Sequence, residues 1–81
     1  MIRLSAPPSS ARPPAEGVVS LGLTRWRVLR ASGAVAGLVE ETRCAQGVRY
    51  RALRYRWSVR AFHPVGDFWR FDDAVAALRA G

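Results

Sequence analysis

With 81 residues the chain has room for one small domain, one that buries only about 60% of the surface its unfolded form exposes. Its formal net charge is +7 and all 13 basic residues are arginine, a balance that favours polyanionic partners, although GC-rich coding also produces arginine without lysine. The lone Cys44 excludes an intramolecular disulfide and a multi-cysteine metal site, and the longest apolar run, Ala34 to Val39, is too short to cross a bilayer. A soluble protein of the reducing cytoplasm is expected.

Residues 1–17 hold four of the five prolines, as Pro7-Pro8 and Pro13-Pro14, among serines and glycine. Such a composition cannot bury enough apolar surface to order itself, so a flexible N-terminal arm is expected ahead of a domain over 18–81. Thr24 to Arg30 reads as a first strand, with Trp26 and Val28 on one face and Arg25 and Arg27 on the other. Ala31-Ser32-Gly33 forms a turn into a second strand, Ala34 to Thr42, whose small and branched residues suit a central position. Gly37 within it marks a bulge or a close approach.

After a turn over Arg43 to Gly47, the third strand runs from Gly47 to Trp57 and alternates arginine with apolar or aromatic residues. Its phase changes midway. Val48, Tyr50 and Ala52 share one face, while Leu53, Tyr55 and Trp57 fall on the other. A bulge at Ala52-Leu53 returns the second set to the core and gathers Arg49, Arg51, Arg54 and Arg56 outside; without it the face splits. Ser58 to Trp69 reads as a connection punctuated by Pro64 and Gly66, with room for a short strand over Ser58 to Phe62.

The chain closes in a helix. Asp72 suits the N-cap, Asp73 the positive helix start and Arg79 the negative end, while Phe71, Ala74, Val75 and Leu78 make an apolar stripe at i, i+3, i+4 and i+7. The expected fold is α+β, a three-stranded antiparallel sheet with one C-terminal helix packed on the face of Trp26, Val28 and Tyr50.

One helix covers one side of such a sheet. The other side then presents Arg25, Arg27, Arg49, Arg51, Arg54 and Arg56, the candidate phosphate-binding residues. Of Glu40 and Glu41 only one can stand among them, because neighbours in a strand point oppositely. Trp57 and Trp69 are candidates for base stacking or a protein interface, whereas Trp26, Tyr50 and Phe71 belong to the core. Asp67, Asp72 and Asp73 read as turn and cap residues. No glycine-rich phosphate loop, metal-ligand spacing or paired carboxylates stand out, and His63 is the only histidine, so neither an enzyme nor a cofactor is expected.

Three strands followed by a helix, closing in Gly66-Asp67-Phe68-Trp69-Arg70-Phe71-Asp72-Asp73-Ala74-Val75-Ala76-Ala77-Leu78, resembles the DNA-binding domains of plant ethylene-response factors and the arm-binding domains of phage integrases. Pro64-Val65-Gly66 stands where those families carry tryptophan-leucine-glycine. The resemblance implies that the sheet enters the DNA major groove while the helix braces its rear, with DNA contacts from the six strand arginines. The chain also looks like small proteins of GC-rich bacteria and their phages. The leading expectation is a nucleic-acid-binding module, DNA ahead of RNA; the alternative is an interaction or adaptor module that uses the basic sheet, a strand edge or the arm against an acidic protein.

Overall fold

The computed structural model describes residues 16–80; residues 1–15, most of the expected arm, and Gly81 lie outside them. Five strands follow in chain order: β1 (Val18–Ser20), β2 (Arg25–Leu29), β3 (Val35–Cys44), β4 (Gly47–Arg56) and β5 (Ala61–Phe68), and then the helix α1 (Phe71–Ala80). The strands form one antiparallel meander in the order β1-β2-β3-β4-β5. The α+β class with a C-terminal helix stands, but the sheet has five strands instead of three.

Both extra strands lie at the edges. β1 has only three residues, too few for a periodic signal. β5 occupies most of the stretch expected to be a connection, because Pro64 and Gly66 read as breakers there. A proline is tolerated on an edge strand and at a bulge, and Pro64 has both settings. Ala52 pairs with Gly66 and Leu53 with Pro64, leaving Val65 as an extra residue on β5.

The irregularity therefore falls at Ala52-Leu53, but on the partner strand. β4 pairs without interruption along β3, from Gly37–Arg54 to Cys44–Gly47, and keeps its alternation throughout. A second irregularity lies between β2 and β3, where Val28 pairs with Gly37 and Leu29 with Val35, making Ala36 the extra residue. It lets both Ala36 and Gly37 be buried.

The helix begins at Phe71, one residue ahead of the expected cap, and Ala74 N–H donates to the Arg70 carbonyl. Asp72 and Asp73 thus lie in the first turn, at the positive end of the helix dipole. The stripe Phe71, Ala74, Val75 and Leu78 is buried against Val28, Val39, Ala52 and Trp26, with Tyr50 and Phe68 packed alongside. Trp26 and Phe71 meet edge to face at 5.0 Å, and Tyr50 meets Phe71 at 5.7 Å.

Two arginines tie the helix end to the sheet. Arg54 donates to the Ala77 carbonyl at 3.1 Å, and Arg79 donates to the carbonyls of Leu29 and Glu16. Leu29 N–H in turn donates to the Gly17 carbonyl, so Glu16 and Gly17, assigned to the arm by composition, are held by the domain.

A Cβ on Gly37 collides with the Leu53 carbonyl oxygen and comes within 3.0 Å of Leu78 Cδ2. Gly37→Ala is therefore expected to destabilise by about 1–3 kcal/mol, and Trp26→Ala, which empties a site only 7% exposed, by about 3–5 kcal/mol. Urea denaturation measures both, and an unchanged midpoint for Gly37→Ala refutes the close approach of strand and helix.

Candidate nucleic-acid interface

Strand pairing decides which side chains share the face that α1 leaves uncovered, because directly paired residues point the same way. Four rows on that face carry the candidate side chains. The first joins Tyr55 to Phe62 at the end of the β4–β5 hairpin. The second runs Val19, Arg27, Leu38, Leu53 and Pro64 across all five strands. The third is Arg25, Glu40, Arg51 and Asp67, and the fourth pairs Thr42 with Arg49.

The third row alternates in sign over three strand spacings, about 14 Å. Arg25 Nε lies 3.3 Å from Glu40 Oε2, and Arg51 Nε donates to Asp67 Oδ1 at 3.0 Å. The hydrogen bond to Asp67 and its charge, with a smaller contribution from Glu40, raise the Arg51 pKa above its ordinary value. Both pairs are open to solvent, so salt screens them.

Of the six candidate arginines, the fold brings four onto one face: Arg25, Arg27, Arg49 and Arg51. Arg54 and Arg56 do not join them. The bulge that was to rotate them outward is carried by β5, so uninterrupted alternation puts Arg54 on the helix side, beside Gly37 and His63, and pairs Arg56 with Ala61. Glu40 is the glutamate that stands among the arginines, while Glu41 pairs with Tyr50 on the helix side. Asp67, expected in a turn, is a strand residue of the exposed face. Its role was hidden with β5 itself.

Two arginines of this face keep free hydrogen-bonding capacity. The Arg27 guanidinium forms no ion pair or hydrogen bond with the described residues. Arg49 lies over the Trp69 ring at 4.4 Å, and its Nη2 donates to the Asp67 carbonyl at 3.4 Å, while its buried Nε has no partner. Four guanidinium groups against two carboxylates leave the face with a surplus of two positive charges.

Aromatic rings flank the charged rows. Trp69, 55% exposed, closes one end under Arg49. At the other, Trp57 is 64% and Phe62 40% exposed, and Tyr55 contacts both, at 4.6 Å and 4.9 Å between ring centres. Both tryptophans singled out as contact candidates are thus solvent-facing.

Among the described residues no group of His, Cys, Asp and Glu is placed to hold a metal, and no helix is long and apolar enough to cross a membrane. Cys44 sits at the exposed β3–β4 turn, whereas His63 pairs with Arg54, seven residues along β4 from Gly47, or about 23 Å. The chain matches no family model, no curated protein and no solved structure.

Because Arg54 serves the helix end, Arg54→Ala is expected to lower stability by about 1–3 kcal/mol, the worth of a hydrogen bond from a charged donor. Chemical denaturation checks this, and a variant as stable as the parent refutes the role.

Proposed function

We propose that the chain is a nucleic-acid-binding module that docks phosphates on the sheet face opposite α1, with DNA as the favoured target. The observation that carries this reading is the gathering of Arg25, Arg27, Arg49 and Arg51 on the face that α1 leaves uncovered, two of them outside any ion pair among the described residues, with exposed rings at both ends. Guanidinium forks meet phosphates bidentately, and aromatic faces accept bases whatever their sequence. The carboxylates of Glu40 and Asp67 temper the charge and hold two of the forks in place. Arg27 and Arg49 are the principal phosphate ligands, and Arg25 and Arg51 join when an incoming phosphate competes with their carboxylates.

Two to four phosphate contacts give a slope of log affinity against log salt between about −2 and −4 on duplex DNA. A flat response in a fluorescence-anisotropy titration removes the reading. Replacing Arg27 and Arg49 together by glutamate is expected to abolish binding while circular dichroism stays unchanged; a double variant that binds normally refutes the assignment of this face.

Removing the competing carboxylates acts in the opposite sense. Glu40→Gln with Asp67→Asn frees Arg25 and Arg51, and is expected to tighten binding and to steepen the salt slope by about 1–2. Weaker binding by this variant shows instead that the carboxylates hold the arginines in a needed geometry.

The apolar stretch Leu38, Leu53 and Pro64 beside the unpaired Arg27 guanidinium favours, as a second reading, an adaptor whose basic face binds an acidic protein. Recovery of one stoichiometric protein after nuclease treatment supports it, and recovery of nucleic acid alone counts against it.

A further inference from the structure

The β4–β5 end of the exposed face holds a recess of about 280 Å³ bounded by Arg27, Val35, Tyr55, Trp57 and Phe62. A larger cavity of about 530 Å³ lies near Gly17, Leu29 and Arg79, but there Arg79 is already spent on the backbone carbonyls of Leu29 and Glu16. The smaller recess differs in kind. Its cation forms no ion pair or hydrogen bond within the described chain, and its walls are three aromatic rings.

We propose that this recess takes one unstacked nucleobase of single-stranded DNA, with an adjacent phosphate on Arg27. The inference rests on the nucleic-acid reading above and specifies the form of the target. An indole 64% exposed has open π surface, and Phe62 is 40% exposed beside it. Tyr55 contacts Trp57 with ring planes 89° apart and Phe62 with planes 57° apart, so both rings are braced before a ligand arrives. Bases inside a duplex are stacked on each other and present only their edges in the grooves, whereas single strands offer π faces that stack on such rings. Arg27 stands in the neighbouring row, two residues along β2 from Arg25, whose guanidinium is paired with Glu40. A polyanion is thus drawn to the ring end of the face, while a second copy of this chain is repelled by its like surplus charge.

The test compares the full chain's affinity, by fluorescence anisotropy, for a thymidine dodecamer, an abasic dodecamer with the same phosphates, and a duplex of the same length. The thymidine strand is expected to bind about 5- to 150-fold more tightly than the abasic one, the equivalent of one stacked base, and more tightly than the duplex. Trp57→Ala should bring the ratio of the two single strands close to one without changing affinity for the abasic strand, and Trp57→Phe should restore most of it. Arg27→Glu should weaken both strands alike.

Equal, salt-dependent binding of both single strands overturns the base recess but leaves phosphate docking on the face intact. A ratio that survives Trp57→Ala, or a preference for duplex, overturns it as well. Displacement of the thymidine strand by polyglutamate as readily as by more thymidine strand assigns the recess to an acidic peptide. Binding to none of the three DNAs removes both the inference and the reading beneath it.

Discussion

The ten-residue helix buries Phe71, Ala74, Val75 and Leu78 on one face of a five-stranded sheet, and it is the sheet's only helical cover among the described residues. This constraint shapes the rest of the molecule. The residues beneath the helix are small where the backbones come closest, with Ala36, Gly37 and Ala52, and large where space opens, with Trp26 and Tyr50 around Phe71. Close approach and ring packing together supply most of the apolar burial that so small a domain can gather. Arg54 and Arg79 complete the attachment by donating to carbonyls at the helix end and at the sheet margin.

Because the helix takes one face, the other is left to its own chemistry, and the register arranges that chemistry in rows. Aromatic residues occupy one end, an apolar row follows, a ladder of alternating charge crosses β2 to β5, and Arg49 over Trp69 closes the other end. The positive character of this face is smaller than its arginine content implies, since Glu40 and Asp67 each hold one guanidinium. What remains is localised at Arg27 and Arg49, each beside exposed aromatic surface. Charge to attract a polyanion and rings to hold its bases thus lie next to one another.

Much of this was legible in the residue order. The period of two in β2 separates Trp26 and Val28 from Arg25 and Arg27, and the helical stripe from Phe71 to Leu78 is the one that packs. Trp26 is buried and Trp69 exposed as the residue order implies, but the β4 bulge that sends Leu53, Tyr55 and Trp57 to the core is absent: Leu53 and Tyr55 lie on the uncovered face and Trp57 is 64% exposed. β5 escaped because Pro64 and Gly66 mark breaks in most contexts, and only its place at the sheet edge, with Val65 bulged, reconciles them with a strand. With Ser58 to Trp69 taken as a connection, Asp67 has no visible partner in the sequence, and the ladder that neutralises Arg51 stays out of sight.

The amino-acid order alone determined the helix, the alternation of the central strands and the presence of guanidinium groups opposite the core, since each is a matter of local periodicity and charge. Which arginines share a face was decided by tertiary structure. One extra residue balances the same count whether it sits on β4 or on β5, but on β4 it turns Arg54 and Arg56 toward solvent with the others, and on β5 it leaves Arg54 under the helix. Periodicity within one strand carries no information about which partner absorbs the mismatch; that choice belongs to the hydrogen-bonded pair.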